Sequence, residues 1–132
     1  MNVPNIIYQI WLGPEPSHII KEAMQSVKNM NPHYEYILLG NEMISKYNLE
    51  RYVDVIPYAF LSDYIRMKEV TNAWYVDADM IAKQSIDNLK TKEFVDSEFK
   101  ICCVEYVEKY GPYTIRLHNG FYGAENYNFL IY

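Results

Sequence analysis

A chain of 132 residues, half of them apolar or aromatic, suits one domain with a sizeable core and is too apolar to stay disordered. Its net charge of −5, with no stretch that concentrates Lys or Arg, excludes the basic footprint by which nucleic-acid binders neutralise phosphates. A nucleotide ligand is not excluded, because a divalent cation can supply positive charge locally.

In chain order, Ile6 to Leu12 is an apolar run ended by Gly13-Pro14, which predicts a buried first strand. Ser17 is placed to cap a helix whose Ile19, Ile20, Ala23, Met24 and Val27 fall at helical spacing, and Asn31-Pro32 stops it. Tyr34 to Leu39, closed by Gly40, predicts a second strand, so the opening is a strand–helix–strand unit that normally builds a parallel sheet. A short helix over 42–47 follows, then a longer one after Pro57 that ends at Thr71-Asn72. Ala73 to Val76 is the next buried strand and runs straight into Asp77-Ala78-Asp79. Residues 82–98 read as loop with a short helix. Strands are expected over 100–107 and 113–117 around a Gly111-Pro112 turn, with one more in the tail.

The adjacent Cys102 and Cys103 would form only a strained bridge, since neighbours on a strand point to opposite faces. Met1 leads into Asn-Val-Pro rather than a basic and then apolar leader, and no apolar run approaches the ~20 residues of a membrane helix. The expectation is a soluble cytoplasmic protein with no transmembrane segment. Fourteen tyrosines suit half-wet clefts and interfaces, or equally reflect AT-biased codon usage.

The strongest local signal is Trp74-Tyr75-Val76-Asp77-Ala78-Asp79. An apolar strand ending in Asp-x-Asp puts two carboxylates at the edge where α/β folds bind ligands, and hard oxygen donors so close suit Mg²⁺ or Mn²⁺. An ordinary strand end is the competing reading, because Asp is common in turns. Asp63 and Arg66 share a helix face, either as binding groups or as a surface ion pair. Trp11 could stack on a nucleobase or lie in the core. His18, His33 and His118 show no metal-ligand spacing, and the first two read as surface residues.

Taken in order, Ile-Ile-Tyr-Gln-Ile-Trp-Leu-Gly (6–13), Leu-Ser-Asp-Tyr-Ile-Arg (61–66) and Trp-Tyr-Val-Asp-Ala-Asp-Met (74–80) form a specific series. It resembles the glycosyltransferases with the DXD sugar-binding region, a family of capsular polysaccharide transferases and the yeast initiating α-mannosyltransferase; glucosylating clostridial toxins are more distant relatives. The resemblance implies an α/β GT-A fold (Rossmann-like, of the nucleotide-diphospho-sugar transferases) over 1–132 as a single domain, incomplete at its C-terminus. It also implies a UDP- or GDP-sugar donor, a Mn²⁺ or Mg²⁺ cofactor, and retention of anomeric configuration.

On that resemblance, Trp11 stacks on the donor base, and Asp63 and Arg66 hold its sugar and phosphate side. Asp77 lies near ribose and metal, and Asp79 is a direct metal ligand. Catalysis would rest on Asp77, Asp79 and Arg66, with metal and guanidinium offsetting charge on the leaving diphosphate. The chain departs from the family at Tyr8, where His is usual, and at Asn72-Ala73, where Gly-Gly is usual. The stretch from Asp63 to Asp77 is about two residues short, and family members continue well past the equivalent of Tyr132. The acceptor (glycan, lipid or protein) is not legible, and an incomplete domain would seek a second copy or partner subunit.

Three other readings compete. A non-catalytic or split module would keep the donor pocket alone. A haloacid-dehalogenase-like phosphatase shares an Asp-x-Asp after an apolar strand, but on its first strand. The last is a purely structural protein.

Overall fold

The computed structural model describes residues 3–89, 104–106, 115–117 and 121–124. In chain order the elements are β1 (Ile6–Ile10), α1 (His18–Met30), β2 (Glu35–Leu39), α2 (Glu42–Lys46), α3 (Tyr58–Glu69) and β3 (Ala73–Val76). The short strands β4 (Val104–Tyr106), β5 (Ile115–Leu117) and β6 (Phe121–Ala124) follow, and single 3₁₀ turns occupy Glu50–Tyr52 and Ile86–Leu89. The expected strands over 100–107 and 113–117 are described only as β4 and β5, an antiparallel pair. The rest of both, Cys102, Cys103 and His118 lie outside the described residues.

The main sheet has the order β2-β1-β3-β6. Its first three strands are parallel, and β6 is antiparallel to β3. This is an α/β architecture, with helices on both faces. Pleat alternation explains the two layers. Ile7, Trp74 and Val76 pack with Val3, Val27 of α1, Tyr34 and Ile86. Ile10, Ala73 and Tyr75 pack instead with Leu61 and Ile65 of α3, Met43 of α2 and Leu49. With both faces covered, all four residues of β3 are buried, which is why it reads as an unbroken apolar run.

Local chemistry sets the helix ends. The Ser17 hydroxyl accepts from the Ile20 N–H at 3.4 Å, capping α1 as its sequence predicts. At the other end Asn31, only 3% exposed, donates to the Val27 carbonyl at 2.8 Å. Its Oδ1 accepts from the Ile86 N–H at 2.7 Å and from the Ser85 hydroxyl at 3.2 Å. The Ser26 hydroxyl accepts from Ala82 N–H at 2.8 Å, and Tyr34 donates to Asp87 at 2.7 Å. Together these bonds moor the segment after β3 to α1. Among the described residues no helix is long and apolar enough to cross a membrane.

Gly123 of β6 lies against the fully buried Trp74 ring. A Cβ there would come 3.0 Å from Trp74 Cε3 and Cζ3 and 3.2 Å from Val3 Cγ2. Both neighbours are buried and would have to give way by a few tenths of an ångström, so Gly123→Ala is expected to destabilise the fold by about 1–3 kcal/mol through overpacking. Urea unfolding should show a lower midpoint with an unchanged slope.

Candidate functional site

Both connections that create the parallel sheet bear on where a ligand can sit. β1 leads through α1 to β2 on one side of it, and β2 leads through α2 and α3 to β3 on the other. The order in which strands are added therefore reverses about β1, and the carboxyl ends of β1 and β3 flank a topological switch point, where open α/β sheets form ligand crevices. A cleft of about 620 Å³ opens there. Trp11, Asp63, Arg66, Asp77 and Asp79 all line it, together with Tyr58 and Tyr75. Three separate stretches of sequence thus meet in one concavity.

Arg66 sits at the centre of the polar network. Its position in α3 faces the sheet, so its side chain is only 8% exposed. The guanidinium pairs with the Asp63 carboxylate one turn earlier, and its Nη1 lies 3.7 Å from Asp77 Oδ1. Its Cζ also stands 4.5 Å above the centre of the Tyr75 ring, within cation–π range. Tyr75 contributes at both ends, because its hydroxyl donates to Asp77 Oδ1 at 2.7 Å. One aromatic side chain therefore supports the guanidinium and orients the carboxylate beside it.

Asp79 differs from Asp77. It is exposed at the cleft, and no described residue pairs with its carboxylate. Asp77 and Asp79 belong to a tight turn that the Met80 N–H closes by donating to the Asp77 carbonyl at 3.1 Å. The segment 11–14 on the opposite wall is fixed just as firmly. The Trp11 indole donates to the Pro14 carbonyl at 2.8 Å, and its backbone N–H donates to Leu39 at 2.9 Å. Gly13 has φ of 97°, and a Cβ there would meet the Tyr58 ring at 2.7 Å, so glycine is required. Asn41 clamps that glycine reciprocally, accepting from its N–H at 2.7 Å and donating to its carbonyl at 2.9 Å.

Sequence reading missed Tyr75, Asn41 and Gln9, the last a fully buried amide that donates to the Asp77 carbonyl at 3.2 Å. For Gln9 the signal was a polar residue inside an apolar strand. The other two had none, since their roles depend on partners in space. His18 and His33 are exposed and stand outside the cleft lining, as their spacing suggested.

Among the described residues no three His, Cys, Asp or Glu side chains converge as a metal-binding group. The chemistry of the available donors is that of a shared site. Mg²⁺-type cations are commonly held by one or two carboxylates with the remaining positions filled by water and substrate phosphates. An exposed Asp79 beside Asp77 fits that pattern.

No protein-family model matches the chain, and no solved structure matches it. Among curated proteins, it is 31% identical over 96 residues to inositol phosphoceramide mannosyltransferase 2 of Schizosaccharomyces pombe. The match covers 66% of this chain and 28% of the relative, so the chain spans little more than a quarter of that protein's length. The chain is distantly similar to a glycosyltransferase.

Proposed function

We propose that the chain carries the donor-binding half of a metal-dependent glycosyltransferase of the GT-A type, which takes a sugar from a UDP- or GDP-sugar with retention of configuration. The observation that carries this reading is the meeting of Trp11, Asp63, Arg66, Asp77 and Asp79 in one cleft at the switch point of the sheet. The distant mannosyltransferase likeness points the same way, and it puts mannosyl donors first among those to test.

In this reading Trp11 is the shelf for the base, held in place by its bond to Pro14. Asp63 accepts from sugar hydroxyls, and Arg66 lies ready for the diphosphate. Charge supports a cation requirement. The cleft is lined by three carboxylates (Asp63, Asp77, Asp79) and one guanidinium (Arg66), so a diphosphate entering alone would be repelled. A Mn²⁺ or Mg²⁺ ion held by Asp79 and Asp77 would supply Lewis acidity to the leaving diphosphate. Arg66 adds a fixed positive charge on the same side, in a buried setting where it is weakly screened.

Tyr75→Phe tests the internal support of the site. The ring beneath Arg66 is kept and the hydroxyl bond to Asp77 is lost, so unfolding free energy should fall by only about 1 kcal/mol. Metal-dependent nucleotide affinity is expected to fall several-fold, read by titration alongside thermal unfolding.

Turnover separates this function from its neighbour. The full chain would be incubated with UDP- and GDP-sugars and Mn²⁺, and free nucleotide followed over time. Release of nucleotide that requires Mn²⁺ supports the transferase. Binding without release favours a non-catalytic or split donor-binding module, which the same cleft would also serve. Neither binding nor release rejects both.

A further inference from the structure

Gln9 has no exposed surface at all, although it lies within an apolar strand. It shares a sheet face with Ile7, whose layer is made by Val27, Trp74 and Val76. Burying a primary amide in such a layer is unfavourable by a few kcal/mol unless its polar atoms are satisfied, and Leu or Met would fill the space more cheaply. Both ends of the amide are satisfied, by groups on either side of β1. Its Oε1 accepts from the Tyr36 hydroxyl of β2 at 2.5 Å, and its Nε2 donates to the Asp77 carbonyl just past β3 at 3.2 Å.

The Asp77 carbonyl settles which way the amide points. A carbonyl can only accept, so the NH₂ group faces it, which leaves Oε1 for the Tyr36 hydroxyl to donate to. Burial pushes the Tyr36 hydroxyl up to about 12, so it keeps its proton at any working pH. The acceptor is the same carbonyl that closes the turn with the Met80 N–H. Gln9 therefore grips the turn bearing Asp77 and Asp79 from inside the sheet, while Tyr75 and Arg66 act on the Asp77 carboxylate from the cleft.

We propose that Gln9 is a positioning residue for the Asp77-Ala78-Asp79 turn, with Tyr36 holding the other end of its amide, so that the two carboxylates are set for metal and diphosphate. Its link to metal and diphosphate rests on the donor-site reading above. Gln9 touches neither ligand and acts through the turn.

The experiment uses the full chain and the variants Gln9→Met and Tyr36→Phe. Two readouts are taken: hydrogen exchange at the Asp79 and Met80 amides without ligand, and UDP and GDP affinity with and without Mn²⁺. Gln9→Met keeps the volume and removes both hydrogen bonds. It should speed exchange at the turn and lower Mn²⁺-dependent affinity about tenfold, the size of one hydrogen bond, while the protein stays folded. Turn exchange and affinity both unchanged in folded Gln9→Met and Tyr36→Phe proteins would overturn the assignment. If the turn loosens in the variants but wild type binds no nucleotide with Mn²⁺, the donor-site reading fails and Gln9 stands only as the holder of the turn.

Discussion

Replacing Arg66 with alanine is expected to lower donor turnover by about 10²–10³-fold, the usual loss when a preorganised group that stabilises transition-state charge is removed. Its geometry argues for the upper part of that range. The guanidinium is held by Asp63, by proximity to Asp77 and by the Tyr75 ring, so it reaches the cleft already oriented. Stability should fall as well, though modestly. Truncating one partner of a buried ion pair typically removes about 3–5 kcal/mol. Here the partners are partly hydrated, Asp63 being half exposed and Asp77 a third, so water takes over much of the lost interaction. A loss of about 1–2 kcal/mol is expected after that discount. Arg66→Lys should not rescue activity, because an ammonium keeps the charge but loses the planar fork and the stack on Tyr75. Steady-state kinetics with thermal unfolding on both variants checks each part.

Asp79→Asn is expected to separate function from stability altogether. Its carboxylate is exposed and has no partner among the described residues, so stability should change by less than about 0.5 kcal/mol. Mn²⁺-dependent nucleotide affinity should nonetheless fall by about 100-fold or more, because an amide oxygen is a far weaker ligand for a hard cation. The two carboxylates of the turn are thereby separable. Asp77→Asn removes a negative charge that already accepts from Tyr75 and lies near Arg66, so it should disturb both folding and binding.

Much of this arrangement was legible because it depends on neighbours in sequence. Ser17 caps α1, Asn31-Pro32 ends it, and the four apolar residues before Asp77 form a doubly covered strand, all from local pattern. The parallel sheet followed from strand–helix–strand order, although the antiparallel β6 beside β3 did not, since strand direction at an edge leaves no local trace. What escaped were contacts between distant residues. Gln9 meets Asp77 across 68 positions and Asn41 meets Gly13 across 28, and neither spacing has any periodic signature. Arg66 was read as half of a surface ion pair or as a binding group. That its face of α3 turns toward the sheet is a property of packing that the three-residue spacing to Asp63 alone does not carry.

The most direct test of the donor-site account is calorimetric titration of the chain with UDP and with GDP, in the presence and absence of Mn²⁺, on wild type and Asp79→Asn. The account predicts that one nucleotide binds wild type only when Mn²⁺ is present, and that Asp79→Asn abolishes the binding while its unfolding curve stays unchanged. Binding that is indifferent to Mn²⁺ and to Asp79, or no binding to wild type under any condition, would contradict it.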